Sequence, residues 1–102
     1  MKYPEEKIIR IKSDIENQVR GFIEKMKREV KILKEALAKE DYEYIWIMGK
    51  SMMESGQQYG LNDLIPIGTA IEDAAKEKND KEIRDKTTLL AEWLRSIQIV
   101  YE

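Results

Sequence analysis

The chain has 102 residues, of which 18 are basic and 20 acidic, so its formal net charge at pH 7 is −2. This length predicts one domain covering residues 1–102. The charges are interspersed and form no basic block, which argues against a nucleic-acid partner. The chain lacks cysteine and histidine, which removes disulfides, thiolate chemistry and imidazole ligands, so we expect no metal site and no cofactor.

No apolar run in the sequence reaches the ~18–20 residues that a membrane-crossing helix needs. The charged positions carry both signs and form no basic amphipathic stripe, so we expect no membrane partner. The first residues, MKYPEEKIIRIK, alternate charged and apolar side chains, whereas a signal peptide has a continuous apolar stretch. We therefore expect a cytoplasmic location.

Two helices are predicted before residue 40. Residues 4–11 predict a short leading helix, because Pro4 suits a first helical turn and three isoleucines follow it. Residues 13–39 predict a long helix whose apolar side chains recur every three or four positions. These side chains are Ile15, Val19, Phe22, Met26, Val30, Leu33 and Leu37.

The next predicted helix begins at Asp41, a good N-cap residue, and ends before Gly60, which suits a left-handed position after a helix. Two glycines within it, Gly49 and Gly56, each cost about 1 kcal/mol relative to alanine in a helix. They therefore predict a close approach by another helix or by a partner. The inward stripe is predicted to contain Ile45, Met48 or Gly49, Met52, Gly56 and Tyr59.

Two more helices are predicted after residue 60. Asn62 is predicted to cap the third, with Pro66 tolerated near its first turn. Its apolar positions are Leu64, Ile67 or Gly68, Ile71 and Ala74 or Ala75. The fourth begins at Asp80 and continues to Tyr101 along Ile83, Thr87, Leu90, Leu94, Ile97 and Tyr101. Short connections then predict an all-α, up-and-down antiparallel four-helix bundle with a short leading helix.

The second long helix carries an unusual set of side chains opposite its inward stripe. Trp46, Lys50, Met53 and Gln57 are predicted to share an outer face, with Glu54 one turn beyond Lys50. An indole ring and a thioether beside an exposed lysine are typical of a docking surface. The alternative, given equal weight, is that Trp46 and Met53 pack against the leading helix.

The end of this helix also carries a motif. Gly56-Gln-Gln-Tyr59-Gly60 matches the Gly-x-x-Tyr-Gly ending found in one branch of the histidine phosphotransfer (Hpt) family. Met52 fits the apolar place of the family motif, and Gly49 fits its small residue before the histidine. The chain resembles this family over about residues 14–101. The resemblance implies a four-helix phosphorelay module of two-component signalling.

The chain departs from the family at three motif positions. Lys50 stands where the phosphoryl-accepting histidine would be, Met53 replaces the family lysine, and Glu54 replaces the following glycine. A solvent-facing lysine is a cation at neutral pH and is a poor nucleophile. Met53 cannot neutralise phosphoryl charge, and Glu54 adds negative charge. The resemblance therefore implies a pseudo-phosphotransfer domain that is not an enzyme.

Three functional hypotheses remain open from the sequence. In the first, the domain docks a protein partner without phosphotransfer; the resemblance implies the receiver domain of a response regulator. The candidate surface is Trp46, Ile47, Lys50, Met53, Glu54 and Gln57. In the second, receiver binding is lost and the bundle binds itself, a histidine kinase or an unrelated protein. The oligomeric state is expected to be a monomer or weak homodimer. The third, an enzyme with Lys50 as nucleophile, is disfavoured by the neighbouring Glu54.

Overall fold

The computed structural model describes residues 7–102, which form four α-helices and two short β-strands. The helices are α1 (Glu16–Ala38), α2 (Tyr42–Tyr59), α3 (Leu64–Lys76) and α4 (Asp80–Ser96). A 3-10 turn at Ser13–Ile15 precedes α1, and the strands are β1 (Lys7–Ile11) and β2 (Ile97–Tyr101). The four predicted long helices are confirmed. The all-α prediction missed the two strands.

The predicted leading helix is wrong over residues 7–11, which form β1, and residues 4–6 lie outside the described part of the chain. β1 pairs with β2 in parallel, with Lys7 opposite Ile97 and Ile9 opposite Ile99. Ile8, Ile9 and Ile11 are branched at Cβ, which restricts their rotamers in a helix and suits a pleated strand. The isoleucine cluster that suggested a helix therefore favours a strand once a second strand is beside it.

The fourth helix ends earlier than predicted. α4 stops at Ser96, whose hydroxyl donates a 3.0 Å hydrogen bond to the Trp93 carbonyl in the last turn. Ile97 and Tyr101, predicted as helical, belong to β2. Their spacing fits a helix, but Ile97, Ile99 and Tyr101 also alternate with period two and all three pack against the core. The pairing with β1 decides between the two patterns.

The core lies where the predicted stripes of the helices meet. Its fully buried members include Val19, Met26 and Leu33 from α1, Ile45 and Met52 from α2, Leu64 and Ile71 from α3, and Ile83 and Leu90 from α4. Phe22 and Tyr59 are partly buried at its edge, with ring centroids 5.5 Å apart. The three-four periodicity of the sequence thus identified much of the core, but it missed the buried Ile23, Leu61 and Trp93.

Helix-end signals were predicted with mixed success. The Asp41 carboxylate accepts a 3.1 Å hydrogen bond from the Tyr44 N–H, as expected of an N-cap. Gly60 has a φ of 72°, which confirms the left-handed position after α2. The Asn62 cap is wrong, because Asp63 is the residue before α3 and its side chain makes no capping bond.

The Asp63 carboxylate does not cap α3 because it bonds two other elements. Its Oδ2 accepts a 3.0 Å hydrogen bond from Trp93 Nε1 in α4 and forms a 2.6 Å ion pair with Lys7 Nζ in β1. Asp63 therefore links the start of α3 to the end of α4 and to β1. Across residues 7–102, no helix combines the length and apolar character needed to cross a membrane.

Candidate functional site

The candidate site is carried by α2, whose position is set by backbone contact with α3. A Cβ atom added to Gly49 would lie 2.6 Å from the Glu72 backbone nitrogen and 2.8 Å from the Gly68 carbonyl oxygen. A Cβ atom added to Gly68 would lie 2.6 Å from the Gly49 carbonyl oxygen. Only hydrogen fits at these two positions, so the helices touch through their main chains. The predicted close approach at Gly49 is confirmed, and its partner is α3.

A second glycine of α2 lies at the same interface. A Cβ atom added to Gly56 would lie 3.1 Å from both Leu64 Cβ and the Leu61 carbonyl oxygen. The Leu61 carbonyl and the neighbouring side chains would have to shift by a few tenths of an ångström, a milder conflict than at Gly49. The Gly56 and Met52 positions of the family-like motif are therefore buried, and both hold α2 against the rest of the fold.

The six predicted surface residues share one side of α2, which we call the α2 outer face: Trp46, Ile47, Lys50, Met53, Glu54 and Gln57. Four of them are exposed, namely Ile47, Lys50, Glu54 and Gln57. The Ile47 side chain is 49% exposed, more than the two other exposed aliphatic side chains of the described helices, Leu89 at 41% and Ile32 at 39%. The remaining two, Trp46 and Met53, are half-buried.

Lys50 lies over the Trp46 ring, one helical turn back. Its Nζ atom is 5.7 Å from the ring centroid, within the range of a cation–π contact. The ion pair with Glu54 that the spacing allowed is not formed among the described residues, where α2 contributes none of the ion pairs. The exposed Glu54 carboxylate is therefore turned to solvent, beside an ammonium group held by an indole.

Met53 lies at the border between the α2 outer face and the contact with α3. Its backbone nitrogen would be only 2.6 Å from a Cβ atom on Gly68. Met53 therefore belongs partly to the helix–helix contact through its main chain, and its side chain is half-buried.

Trp46 packs against the core, and the leading helix proposed as its alternative neighbour is not present in residues 7–11. Its Nε1 atom is buried and has no hydrogen-bond acceptor within residues 7–102. The ring is therefore positioned by packing and by the Lys50 contact, without a hydrogen bond inside residues 7–102. A phenylalanine could replace it without the loss of a hydrogen bond inside this part of the chain.

Sequence reasoning missed a buried carboxylate below the start of α2. The Glu29 side chain in α1 is only 3% exposed and accepts a hydrogen bond from the Tyr44 hydroxyl. The pKa of Tyr44 is raised to about 12, mainly by burial and to a lesser extent by this bond to Glu29. A signal was present, since Met26, Glu29 and Leu33 are spaced three and four apart and so share the inward face of α1. The pair joins α1 to α2.

A second tyrosine joins α2 to α4. The Tyr42 hydroxyl donates a 2.6 Å hydrogen bond to Asp80 at the start of α4, and this bond is the main reason that the pKa of Tyr42 is raised to about 12. The Lys78 Nζ atom lies 5.9 Å from the centroid of the Tyr42 ring. These contacts fix the N-terminal end of α2, next to the outer face.

A groove lies away from the α2 outer face. It has a volume of about 480 Å³ and lies between the end of α1 and the start of α4. Its floor includes Leu33, Leu37 and Thr87, and its rim includes Lys34, Asp80 and Arg84. In residues 7–102 no group of three or more acidic side chains is arranged to hold a metal ion.

No protein-family model, curated protein or solved structure matches the chain. The resemblance to the phosphotransfer family therefore depends on the sequence motif, chiefly Gly56, Tyr59 and Gly60. In the structure Gly56 is buried, Tyr59 is half-buried and Gly60 follows the helix in a left-handed conformation. Lys50 is exposed on the same helix, two turns before Gly56.

Proposed function

We propose that this chain is a non-catalytic cytoplasmic interaction domain of the histidine-phosphotransfer type, built as an up-and-down antiparallel bundle. It docks the receiver domain of a response regulator through the α2 outer face and transfers no phosphoryl group. The observation that carries the proposal is the exposed strip formed by Ile47, Lys50 and Glu54 on a helix fixed by glycine contacts. A rigid helix with one exposed aliphatic anchor beside a cation suits a protein partner.

Lys50 occupies the position at which the resemblance implies an interaction with the acidic pocket of a receiver. An exposed ammonium group has the charge to pair with carboxylates in such a pocket. It lies over the Trp46 ring, so the cation is already oriented before binding. Because the contact would be electrostatic at its centre, binding should weaken as salt is raised.

The same position supports docking without phosphotransfer. A solvated ammonium group has no free lone pair with which to attack phosphorus. The exposed Glu54 carboxylate lies one turn away, where its charge opposes an incoming phosphoryl group. The complex would therefore occupy the receiver and hold it, with no covalent step.

Substitution of one exposed side chain tests the proposal most cleanly. Ile47→Asp should weaken the binding of a receiver domain at least about tenfold, because an exposed anchor is replaced by a carboxylate that faces an acidic pocket. Leu89→Asp is the matched control, since Leu89 is another exposed aliphatic residue, 41% exposed, but lies on α4. Calorimetric titration of receiver domains from the same source measures both. Equal loss in the two variants, or no receiver binding at micromolar concentration, would overturn the proposal.

The alternative of a bundle that has lost receiver binding is favoured by Glu54. The carboxylate stands where the family has a glycine that allows close approach, and it is exposed. In that case the α2 outer face would serve another protein or a second copy. The same titration separates the two functions, because only the first predicts receiver binding that depends on Ile47.

A further inference from the structure

The two-stranded sheet has one edge whose backbone groups can be assigned. The Glu102 N–H donates to the Ile11 carbonyl at 2.8 Å, and the Glu102 carbonyl accepts from the Ser13 N–H at 2.7 Å. Glu102 therefore directs both of its main-chain groups toward β1. Because successive residues of a strand direct these groups to opposite sides, Val100 also points toward β1. Ile97, Ile99 and Tyr101 point to the other edge of β2.

The outer edge of β2 is open within the described residues. The sheet has two strands, so residues 7–102 supply no neighbour on that side. The Ile97 N–H is already bonded to the Trp93 carbonyl at the end of α4. The groups left over are the Ile97 carbonyl and both main-chain groups of Ile99 and Tyr101. A row of alternating donors and acceptors is a template for another extended strand.

β2 carries none of the features that usually protect an open edge. Its sequence, Ile-Gln-Ile-Val-Tyr, has no charge, proline or glycine, whereas edge strands of monomeric proteins commonly carry them. β1 differs, because Lys7 and Arg10 place charges along it. The unprotected strand is therefore the one whose free groups face away from the sheet.

A groove lined by both apolar and charged side chains runs beside this edge. It has a volume of about 420 Å³ and lies between α1 and β2. Apolar side chains that line it are Ile23, Leu94, Ile97, Ile99 and Tyr101. A strand added to the edge of β2 would place alternate side chains over this groove.

The charges on the groove wall favour an uncharged occupant. Arg20 pairs with Glu16 at 2.7 Å, and Lys27 pairs with Glu24 at 3.3 Å, so the α1 wall has no net charge. The Arg20 guanidinium also lies 4.9 Å from the centroid of the Tyr101 ring. A charged peptide would find no complementary excess here. A second β2 strand is itself uncharged and meets no repulsion.

We propose that β2 pairs with β2 of a second copy of this chain in an antiparallel, two-fold symmetric contact. With the axis at Ile99, the two Ile99 residues exchange both main-chain hydrogen bonds, as opposite residues of an antiparallel pair do. Each Tyr101 N–H then reaches the Ile97 carbonyl of the other copy. The pattern is self-complementary, and it produces a four-stranded sheet with β1 at each outer edge. The contact shares no residue with the α2 outer face.

The dimer is expected to be weak. Five residues per strand are far fewer than the ~20–30 residues per side of a stable interface. Dissociation should therefore occur between about 10 µM and about 1 mM, the range of weak pairs. Analytical ultracentrifugation across this range should show the mass rising from the 12.0 kDa monomer toward twice that value.

Amide hydrogen exchange on the unmodified chain tests which edge is used. The Ile99 and Tyr101 amides should exchange at least about tenfold more slowly at the highest concentration than at the lowest. The Val100 amide points toward β1 and should be protected at both. Concentration-independent protection of Ile99 would show that the chain covers its own edge and would overturn the proposal. A constant monomer mass with an unprotected Ile99 would overturn it as well.

Two proline variants provide a matched pair. Ile99→Pro removes a donor on the free edge and should abolish the rise in mass. Its melting temperature should fall only through the lost packing of the Ile99 side chain. Val100→Pro removes a donor that faces β1 and should lower the melting temperature further. Dimerisation that survives Ile99→Pro would contradict the pairing. These outcomes do not depend on receiver binding, so the two proposals fail separately.

Discussion

At the scale of single residues, two glycines decide how the helix with the candidate site is held. Gly49 and Gly68 face each other across α2 and α3, where a methyl group would meet main-chain atoms at 2.6 Å. Backbone atoms cannot rotate out of the way as the end of a side chain can. Glycine is less favourable than alanine in a helix, but at these two positions it allows the helices to pack closely.

Gly49→Ala and Gly68→Ala should each destabilise the fold by about 1–3 kcal/mol, because overpacking outweighs the gain in helix propensity. Gly21→Ala is the control, since Gly21 is an exposed α1 position with no atom near its missing side chain. That variant should be stabilised by about 0.5–1 kcal/mol. Urea unfolding measures all three. A stabilised Gly49→Ala would refute the main-chain contact.

Tyr44→Phe should destabilise the protein by about 1–3 kcal/mol, because the buried Glu29 carboxylate loses its hydrogen-bond donor. The pKa of Tyr44 is raised from 10.0 to about 12 in the folded protein. Its contribution to stability is therefore complete below pH 10 and lost as the pH rises toward 12. The difference between wild type and Tyr44→Phe should shrink over that interval in urea unfolding. A constant difference would contradict the assigned pKa.

Lys50→His alone should not produce a phosphoryl acceptor, because Glu54 remains beside the new imidazole and Met53 adds no positive charge. Transfer from a phosphorylated receiver should also require Met53→Lys and Glu54→Gly. Radiolabelled phosphate detects the product, and Lys25→His on exposed α1 is the control for nonspecific labelling. Labelling of the single variant at Lys50 would show that the two neighbours do not block the chemistry.

At the scale of elements, helical periodicity was predictive where an apolar stripe was long. The stripes of α1 and α2 identified their buried faces, because only one side of a long helix can meet the core. The short β1 and β2 segments were predicted as helix, since five residues fit either period and their pairing is ninety positions apart in the sequence. Such pairing cannot be read from local pattern.

Helix ends show the same limit. Asp41 could be recognised as a cap, because its role depends on residues three positions away. Asp63 could not be assigned, since its partners Lys7 and Trp93 come from distant parts of the chain. Asn62 was preferred for its intrinsic cap propensity, which the tertiary contacts of Asp63 override.

Substitution of cap residues compares the caps seen in the structure with the cap predicted at Asn62. Asp41→Ala and Asn79→Ala should each cost about 1 kcal/mol, because each side chain accepts a hydrogen bond from a first-turn N–H. Asn62→Ala should change the free energy of unfolding by less than about 0.5 kcal/mol. Thermal unfolding with a common buffer compares the three. If Asn62→Ala lowered the free energy of unfolding as much as Asp41→Ala, Asn62 would be the cap of α3 after all.

At the scale of the whole molecule, the structure separates two surfaces. The α2 outer face is a helical strip with an exposed aliphatic residue and two opposite charges, whereas the β2 edge is an uncharged row of main-chain groups. Side-chain types and their spacing predicted a helical face at α2. The β2 edge depends on the pairing of β2 with the distant β1, so sequence reasoning did not find it. A partner on α2 and a second copy on β2 could be bound together.

The central claim, that the chain docks a receiver domain through α2, is tested most directly by mapping the contact. Nitrogen-15-labelled chain is titrated with an unlabelled receiver domain at a chain concentration low enough to keep it monomeric. Amide shifts are expected to change around Ile47, Lys50 and Glu54, whereas those of β2 and α4 are expected to stay fixed. Shifts confined to β2 or α4, or no shift with any receiver domain, would contradict it.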